Sequence, residues 1–230
     1  MNDLAQNLIE ELQCETVFTI PVLGGIPVSE AVVVTWIIMA VLVVIAFILT
    51  RNLKVDHISK RQAVAESIVT GLLNMVQGMV GEKGKAYVPY LTTVMLYIGV
   101  SNIIGLFGFK SPTKDLRVTV ALALMSIILI EAAGIYHKGV KRWLHGFVEP
   151  VAIVTPINIL EVVTKPLSLC MRLFGNVLGA FVIMELLKMI LPVGLPVVFS
   201  LYFDIFDGLI QAFVFVFLTS LYIGEATAVE

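Results

Sequence analysis

Ser168-Leu-Cys-Met-Arg172-Leu-Phe-Gly175-Asn176-Val-Leu-Gly179 sets one arginine in the middle of a strongly apolar stretch. If the stretch crosses a bilayer, the guanidinium lies deep in hydrocarbon, where insertion scales put its cost at about 2.5–3.5 kcal/mol. Arginine cannot escape by shedding its proton, as a buried lysine can. A chain that tolerates this cost is using the charge on an ion pathway.

The rest of the composition agrees with a membrane setting. Mean hydropathy is +0.99, 59% of residues are hydrophobic and 14% are charged, against roughly 25% charged residues in soluble domains. The net charge of −2 decides nothing, but uncharged windows run over 31–50, 86–109 and 208–224. A helix needs about 20 apolar residues to cross the hydrocarbon. Cys14 and Cys170 lie far apart, so neither a disulfide frame nor a metal site is indicated. The N-terminus lacks a basic stretch leading directly into an apolar run, so no cleaved signal peptide is expected. Residues 1–30 read as a short external arm.

The positions of the basic residues orient the chain. Arg51, Lys54, Lys60 and Arg61 follow a span at 31–50, and Lys138, Lys141 and Arg142 follow one at 116–136. By the positive-inside rule both clusters are cytoplasmic, which puts the N-terminus outside and the C-terminus inside. Residues 62–80, which mix aliphatics with Glu66, Asn74 and Gln77, read as an amphipathic helix on the inner surface. A further span is expected at 86–107, with Pro89 tolerated in its first turn. Residues 151–190 form a helix of about 60 Å, twice the hydrocarbon thickness and therefore strongly tilted. With 197–222 it makes a long hairpin. The expected fold is all-α, a single membrane domain of five inserted helices and one interfacial helix.

On a helical wheel Glu161, Lys165, Ser168 and Asn176 fall within about 40° of Arg172, a narrow polar stripe. Asp204, Asp207 and Gln211 share a face of the last helix, and Glu185 stands on another face near the outer end. Carboxylates thus occupy the outer half of the hairpin and Glu161 with Lys165 the inner half, with Arg172 between. Plainer readings exist for each residue. Arg172 can pair with a carboxylate to fix packing, and Asn176 and Gln211 can be interhelical hydrogen bonds. Asp204 and Asp207 can be solvated at the turn, while Glu161–Lys165 and Glu185–Lys188 have helical ion-pair spacing. Glu131 either lines a water path or snorkels. His57, His137 and His145 read as interfacial.

Lys165-Pro-Leu-Ser-Leu-Cys-Met-Arg172-Leu-Phe-Gly-Asn176 resembles the signature of subunit a of the F-type ATP synthase. Gln211-Ala-Phe-Val-Phe-Val-Phe-Leu-Thr219, Ser111-Pro-Thr-Lys-Asp-Leu-Arg-Val-Thr-Val-Ala-Leu-Ala-Leu124 and Ser101-Asn102 resemble further parts of that family. The resemblance implies a non-catalytic stator beside a rotating ring of c subunits and b-type peripheral stalk subunits. It implies no cofactor, no nucleic acid and no direct nucleotide binding, and a bacterial inner membrane as the setting. Arg172 matches the family's arginine, Asn176 and Gln211 its polar partners, and Glu161 a glutamate on the cytoplasmic side. Two positions depart from the best-known bacterial pattern. Phe181 stands where a glutamate is common and Asp204 where a histidine is common. Glu185, one turn beyond Phe181 and about 40° round, is placed to substitute.

The competing reading is a self-contained secondary transporter, with Arg172 binding an anionic substrate. That class often shows internal repeats and broken midplane helices, and neither is visible in the sequence. The orientation is directly testable in a background with both native cysteines replaced by serine. Cysteine at 204 or 207 is expected to react with an impermeant thiol reagent from outside, and cysteine at 161 from the cytoplasm. Labelling of 161 from outside alone would invert the topology.

Overall fold

The computed structural model describes residues 16–20, 26–51, 53, 59–107, 109–148, 152–190 and 194–228. Cys14, His57 and much of the expected arm lie outside these residues, as does the side chain of Lys188. An antiparallel hairpin opens the described chain, β1 (Thr16–Ile20) against β2 (Ile26–Ser29), with Thr16 opposite Ser29 and Ile20 opposite Ile26. It is a small addition to the all-α expectation. Thr16-Val-Phe-Thr-Ile20 is rich in β-branched and aromatic residues, which suit a pleated strand.

Helices follow: α1 (Glu30–Thr50), α2 (Lys60–Val80), α3 (Val88–Ile103), α4 (Leu116–Lys138), α5 (Val140–Gly146) and α6 (Thr155–Ile190). Then come α7 (Leu195–Ser200), a π-helical segment Leu201–Asp207, and α8 (Gly208–Thr227). Local chemistry marks the boundaries. Ser59 accepts the Gln62 N–H at the start of α2, and Asp115 accepts the Arg117 N–H at the start of α4, each satisfying a donor the first turn leaves unpaired. Gly81 (φ 76°) and Gly139 (φ 79°) end α2 and α4 with backbone that L side chains rarely adopt.

α8 is the central element. It packs along α3 and α4 and meets α2, while α6 lies chiefly against α4 and touches α8 much less. Val76, Leu91, Ile98, Ile130, Leu173, Phe215 and Ile223 form the buried core. Hydrocarbon supplies no hydrophobic drive for helices to associate, so close approach between small residues has to hold them. Gly99 faces Ala212, Gly134 faces Ala226, and a Cβ on Gly208 would lie 2.7 Å from Asn102 Cβ. Among the described residues six helical stretches are long and apolar enough to cross a membrane; they include α2, read above as interfacial. α1 leaves Val43, Phe47 and Ile48 more than 60% exposed on its outer face, suited to lipid or to a partner subunit.

Polar ties fix the two ends. At one end Ser29 Oγ donates to Asp115 Oδ2 at 3.0 Å, and Lys110 pairs with Glu30 at 3.1 Å. At the other end Trp143 Nε1 donates to Glu131 Oε2 at 2.8 Å, so Glu131 anchors α5 to α4. Gly208→Ala is expected to destabilise the fold by about 1–3 kcal/mol through overpacking against Asn102. Gly71→Ala, with open space at its Cβ position, is expected to be neutral or stabilising. Thermal melting of the purified complex in detergent separates the two; equal melting temperatures would contradict the close α3–α8 approach.

Candidate functional site

Arg172 is exposed on α6. Leu169, Cys170 and Leu173 are buried, and Cys170 Sγ meets Thr119 Oγ1 of α4 at 3.5 Å. Met171, Arg172 and Gly175 are exposed on the opposite side. Three and four residues make one turn, so packing 169, 170 and 173 inward obliges 172 to point outward. Among the described residues no carboxylate pairs with Arg172. The plainer reading of this arginine, a packing ion pair inside the chain, therefore finds no partner.

Towards the C-terminal end of α6 from Arg172 lies a cavity of about 400 Å³ between α6, the end of α3, the turn at Pro112–Lys114 and the π segment. Asn176, Phe181, Glu185, Asp204 and Asp207 line it, so the outer polar residues picked out in the sequence surround one space. Asn176 Nδ2 donates to Asp207 Oδ2 at 2.5 Å, and Ser200 Oγ donates to Asp204 Oδ2 at 2.7 Å. Asp204 also packs on Gly105, where a Cβ would come within 3.4 Å of its Oδ1. A buried chain of hydrogen bonds braces the wall: Thr113 Oγ1 to Asn102 Oδ1 at 2.7 Å, and Asn102 Nδ2 to the Gly208 carbonyl at 2.9 Å.

The π segment alters the expected stripe on the last helix. A wheel with 100° per residue does not run through Leu201–Asp207, which winds more loosely. Asp204 and Asp207 accordingly open into the cavity, while Gln211 is buried in the packed face of α8. Its Nε2 finds no hydrogen-bond partner among the described residues, which is the usual mark of an internal water.

At the inner end Lys165 Nζ lies 3.1 Å from Glu161 Oε1 and 3.2 Å from Glu225 Oε2, with the Tyr222 ring 5.2 Å away. Glu161 thus has the helical ion pair that its spacing allowed, and it shares the ammonium with a second helix. Glu225 was not singled out in the sequence because the last helix was expected to stop at 222. Its signal was present nonetheless, since Glu225 lies about 40° round from Gln211 on the same helix. Lys114, Asn102 and Ser200 also escaped selection as site residues. They come from separate elements, and no spacing rule joins them.

A family profile described as ATP synthase A chain matches residues 32–224. The chain is 36% identical over 205 residues to ATP synthase subunit a of Moorella thermoacetica, covering 88% of this chain and 93% of that one. It is 31% identical over 209 residues to ATP synthase subunit a 2 of Acaryochloris marina, covering 90% and 89%. A relative from Propionigenium modestum, named as sodium ion specific ATP synthase subunit a, is 35% identical over 226 residues, covering 90% and 78%.

Glu185 and Phe181 line the same cavity one turn apart, which makes their exchange testable. Glu185→Gln is expected to slow ion flow through the head-stripped membrane sector several-fold, and Phe181→Glu in that background to restore part of it. Vesicle ion uptake driven by a potassium diffusion potential is the readout. Wild-type flow in Glu185→Gln would remove Glu185 from the path and leave the two aspartates.

Proposed function

The chain belongs to the ATP synthase A chain family, and on that premise we propose that Arg172 separates two half-paths carrying protons to and from a ring of c subunits. As a family member it is a multi-pass, ion-translocating subunit of the membrane sector of a rotary ATP synthase. The finer reading adds roles to residues. The cavity bounded by Glu185, Asp204 and Asp207 is the outer half-path, with Asn176 at its inner limit. Gln211 completes the polar surroundings of the crossing point, and Glu161 stands on the inner half-path.

The observation that carries this reading is the charge of Arg172, exposed and without a carboxylate partner among the described residues, between an outer polar cavity and an inner ionic cluster. A carboxylate brought by each passing c subunit supplies the missing partner. The guanidinium favours the ionised form of that carboxylate by proximity of opposite charge. A proton arriving through the outer cavity neutralises it, and the neutral acid then turns into lipid at little electrostatic cost. After nearly a full rotation the acid meets the inner half-path and loses its proton towards the cytoplasm. The membrane field drives the passage with about 2.3 kcal/mol per charge per 100 mV. A b-type stalk holds the subunit against rotation, and the bacterial relatives support a bacterial inner membrane as its location. The alternative, a self-contained transporter, gains no substrate site at Arg172, which is not among the residues lining the cavity.

Arg172→Ala is expected to abolish ATP synthesis while leaving insertion and assembly intact, because the charge stabilises nothing within the chain. Arg172→Lys is expected to fail in coupling as well, since lysine lacks the planar fork and can lose its proton when desolvated. Synthesis rates in vesicles, measured beside subunit content, test both. Wild-type synthesis by Arg172→Ala would overturn the assignment.

A further inference from the structure

Ser29 stands on two boundaries at once. It ends β2, where it pairs with Thr16, and it is the cap residue of α1. A serine at a cap ordinarily accepts a backbone N–H from the first turn of its own helix. Ser29 makes no such bond. Its hydroxyl donates instead to Asp115 Oδ2 at 3.0 Å, 86 residues along the chain, and both side chains are buried. The neighbouring Glu30 pairs with Lys110 at 3.1 Å. Residues 29 and 30 thus hold the turn 110–115 at both of its flanks.

That turn supplies one wall of the cavity, which Lys110, Ser111 and Lys114 all line. It is also stiff. Pro112 fixes its own φ, and the Lys114 N–H donates to the Ser111 carbonyl and the Asp115 N–H to the Pro112 carbonyl, each at 3.1 Å. Further ties run to α3, from Ser111 Oγ to the Ser101 carbonyl at 2.6 Å and from Thr113 Oγ1 to Asn102 Oδ1 at 2.7 Å. Lys114 Nζ rests 3.1 Å from the centre of the Phe181 ring on α6. A short segment with internal hydrogen bonds moves as one piece, so a grip on residues 110 and 115 places all of its lining side chains.

We propose that Ser29 and Glu30 are positioning residues for ion passage, clamping the 110–115 turn so that this wall of the outer half-path stays in place. The inference rests on the half-path reading above. Ser29 carries the larger share. Its bond is buried and made to a carboxylate, among the stronger classes of hydrogen bond. The side chains of Glu30 and Lys110 are 34% and 41% exposed, and ion pairs open to solvent contribute little. Losing the Ser29 hydroxyl leaves Asp115 Oδ2 buried without this donor, while Oδ1 keeps the Arg117 N–H and the start of α4 survives. Ion transfer between cavity side chains needs hydrogen-bond distances to be kept, and a wall that wanders breaks them part of the time.

The clamp is tested on the assembled membrane sector in vesicles, with the hydrolytic head stripped off. Accessibility is read with an impermeant thiol reagent at Ala180→Cys, on the α6 wall of the cavity, and at Glu161→Cys as a distant control. Both probes sit in a background with Cys14 and Cys170 replaced by serine. Ser29→Ala is expected to speed labelling at 180 by about tenfold, the factor that one charge-assisted hydrogen bond contributes against local opening. Labelling at 161 stays unchanged, whereas a general loss of stability would quicken both. With the native cysteines in place, passive ion flow per incorporated subunit is expected to fall several-fold in Ser29→Ala and by less in Glu30→Gln. Ser29→Thr, which keeps the hydroxyl, is expected to conduct like the wild type. Unchanged labelling at 180, equal changes at 180 and 161, unchanged or faster flow in Ser29→Ala, or the same loss in Ser29→Thr would each overturn the inference. Wild-type synthesis by Arg172→Ala overturns the half-path reading instead, so the two failures are told apart.

Discussion

A guanidinium in a membrane-spanning helix keeps its proton, and the pairing it needs has to come from somewhere. Among the described residues no carboxylate pairs with Arg172. Leu169, Cys170 and Leu173 are turned inward against α4, and that packing points the charge outward. The polar groups of the same helix are engaged elsewhere. Lys165 is occupied by Glu161 and Glu225, and Asn176 by Asp207. A surface that leaves this cation unmatched while engaging the polar side chains on either side fits the proposed acid delivered from outside the chain.

Much of the architecture was legible because lipid imposes a simple rule on sequence: backbone groups must be satisfied within each span, so spans are long and helical. Span 31–50 was found at Glu30–Thr50, 116–136 at Leu116–Lys138, and 151–190 at Thr155–Ile190 after a short 3₁₀ turn. Charge in apolar surroundings is equally readable, which is why Arg172, Asp204 and Asp207 stood out. Less legible was anything set by contacts between elements. The π segment has no sequence signal in Leu201–Asp207, and a wheel that assumes a regular helix does not separate the cavity-lining Asp204 and Asp207 from Gln211, which is buried in the packed face of α8. Lys114 and Glu225 act through partners on other helices, from turns or ends that periodicity does not reach. The β-hairpin fell in a stretch read simply as an arm.

The outer cavity depends on one close approach. Gly208 lets Asn102 come near enough to donate to its carbonyl, and Asn102 in turn receives Thr113 from the loop that carries Lys114. This path from α8 through α3 to the loop fixes the wall opposite α6. Without it the aspartates of the π segment and the residues of α6 would share no defined space. A few small, buried, hydrogen-bonded residues therefore give the cavity its shape, and its ionisable groups do not have to.

Considered as a mechanical part, α6 is a beam loaded from one side. On the reading proposed above, a turning ring would push on the face that carries Arg172, and the helix rests against α4 along much of its length. Two side-chain ties join it to the last helical hairpin arm, at Lys165 and at Asn176, about 16 Å apart at 1.5 Å per residue. Arg172 falls between those pins. A beam deflects less the shorter the distance between its supports, so on that reading the charge would meet each arriving acid at nearly the same height and angle, and thrust from the ring would pass through α4 into the helices behind it.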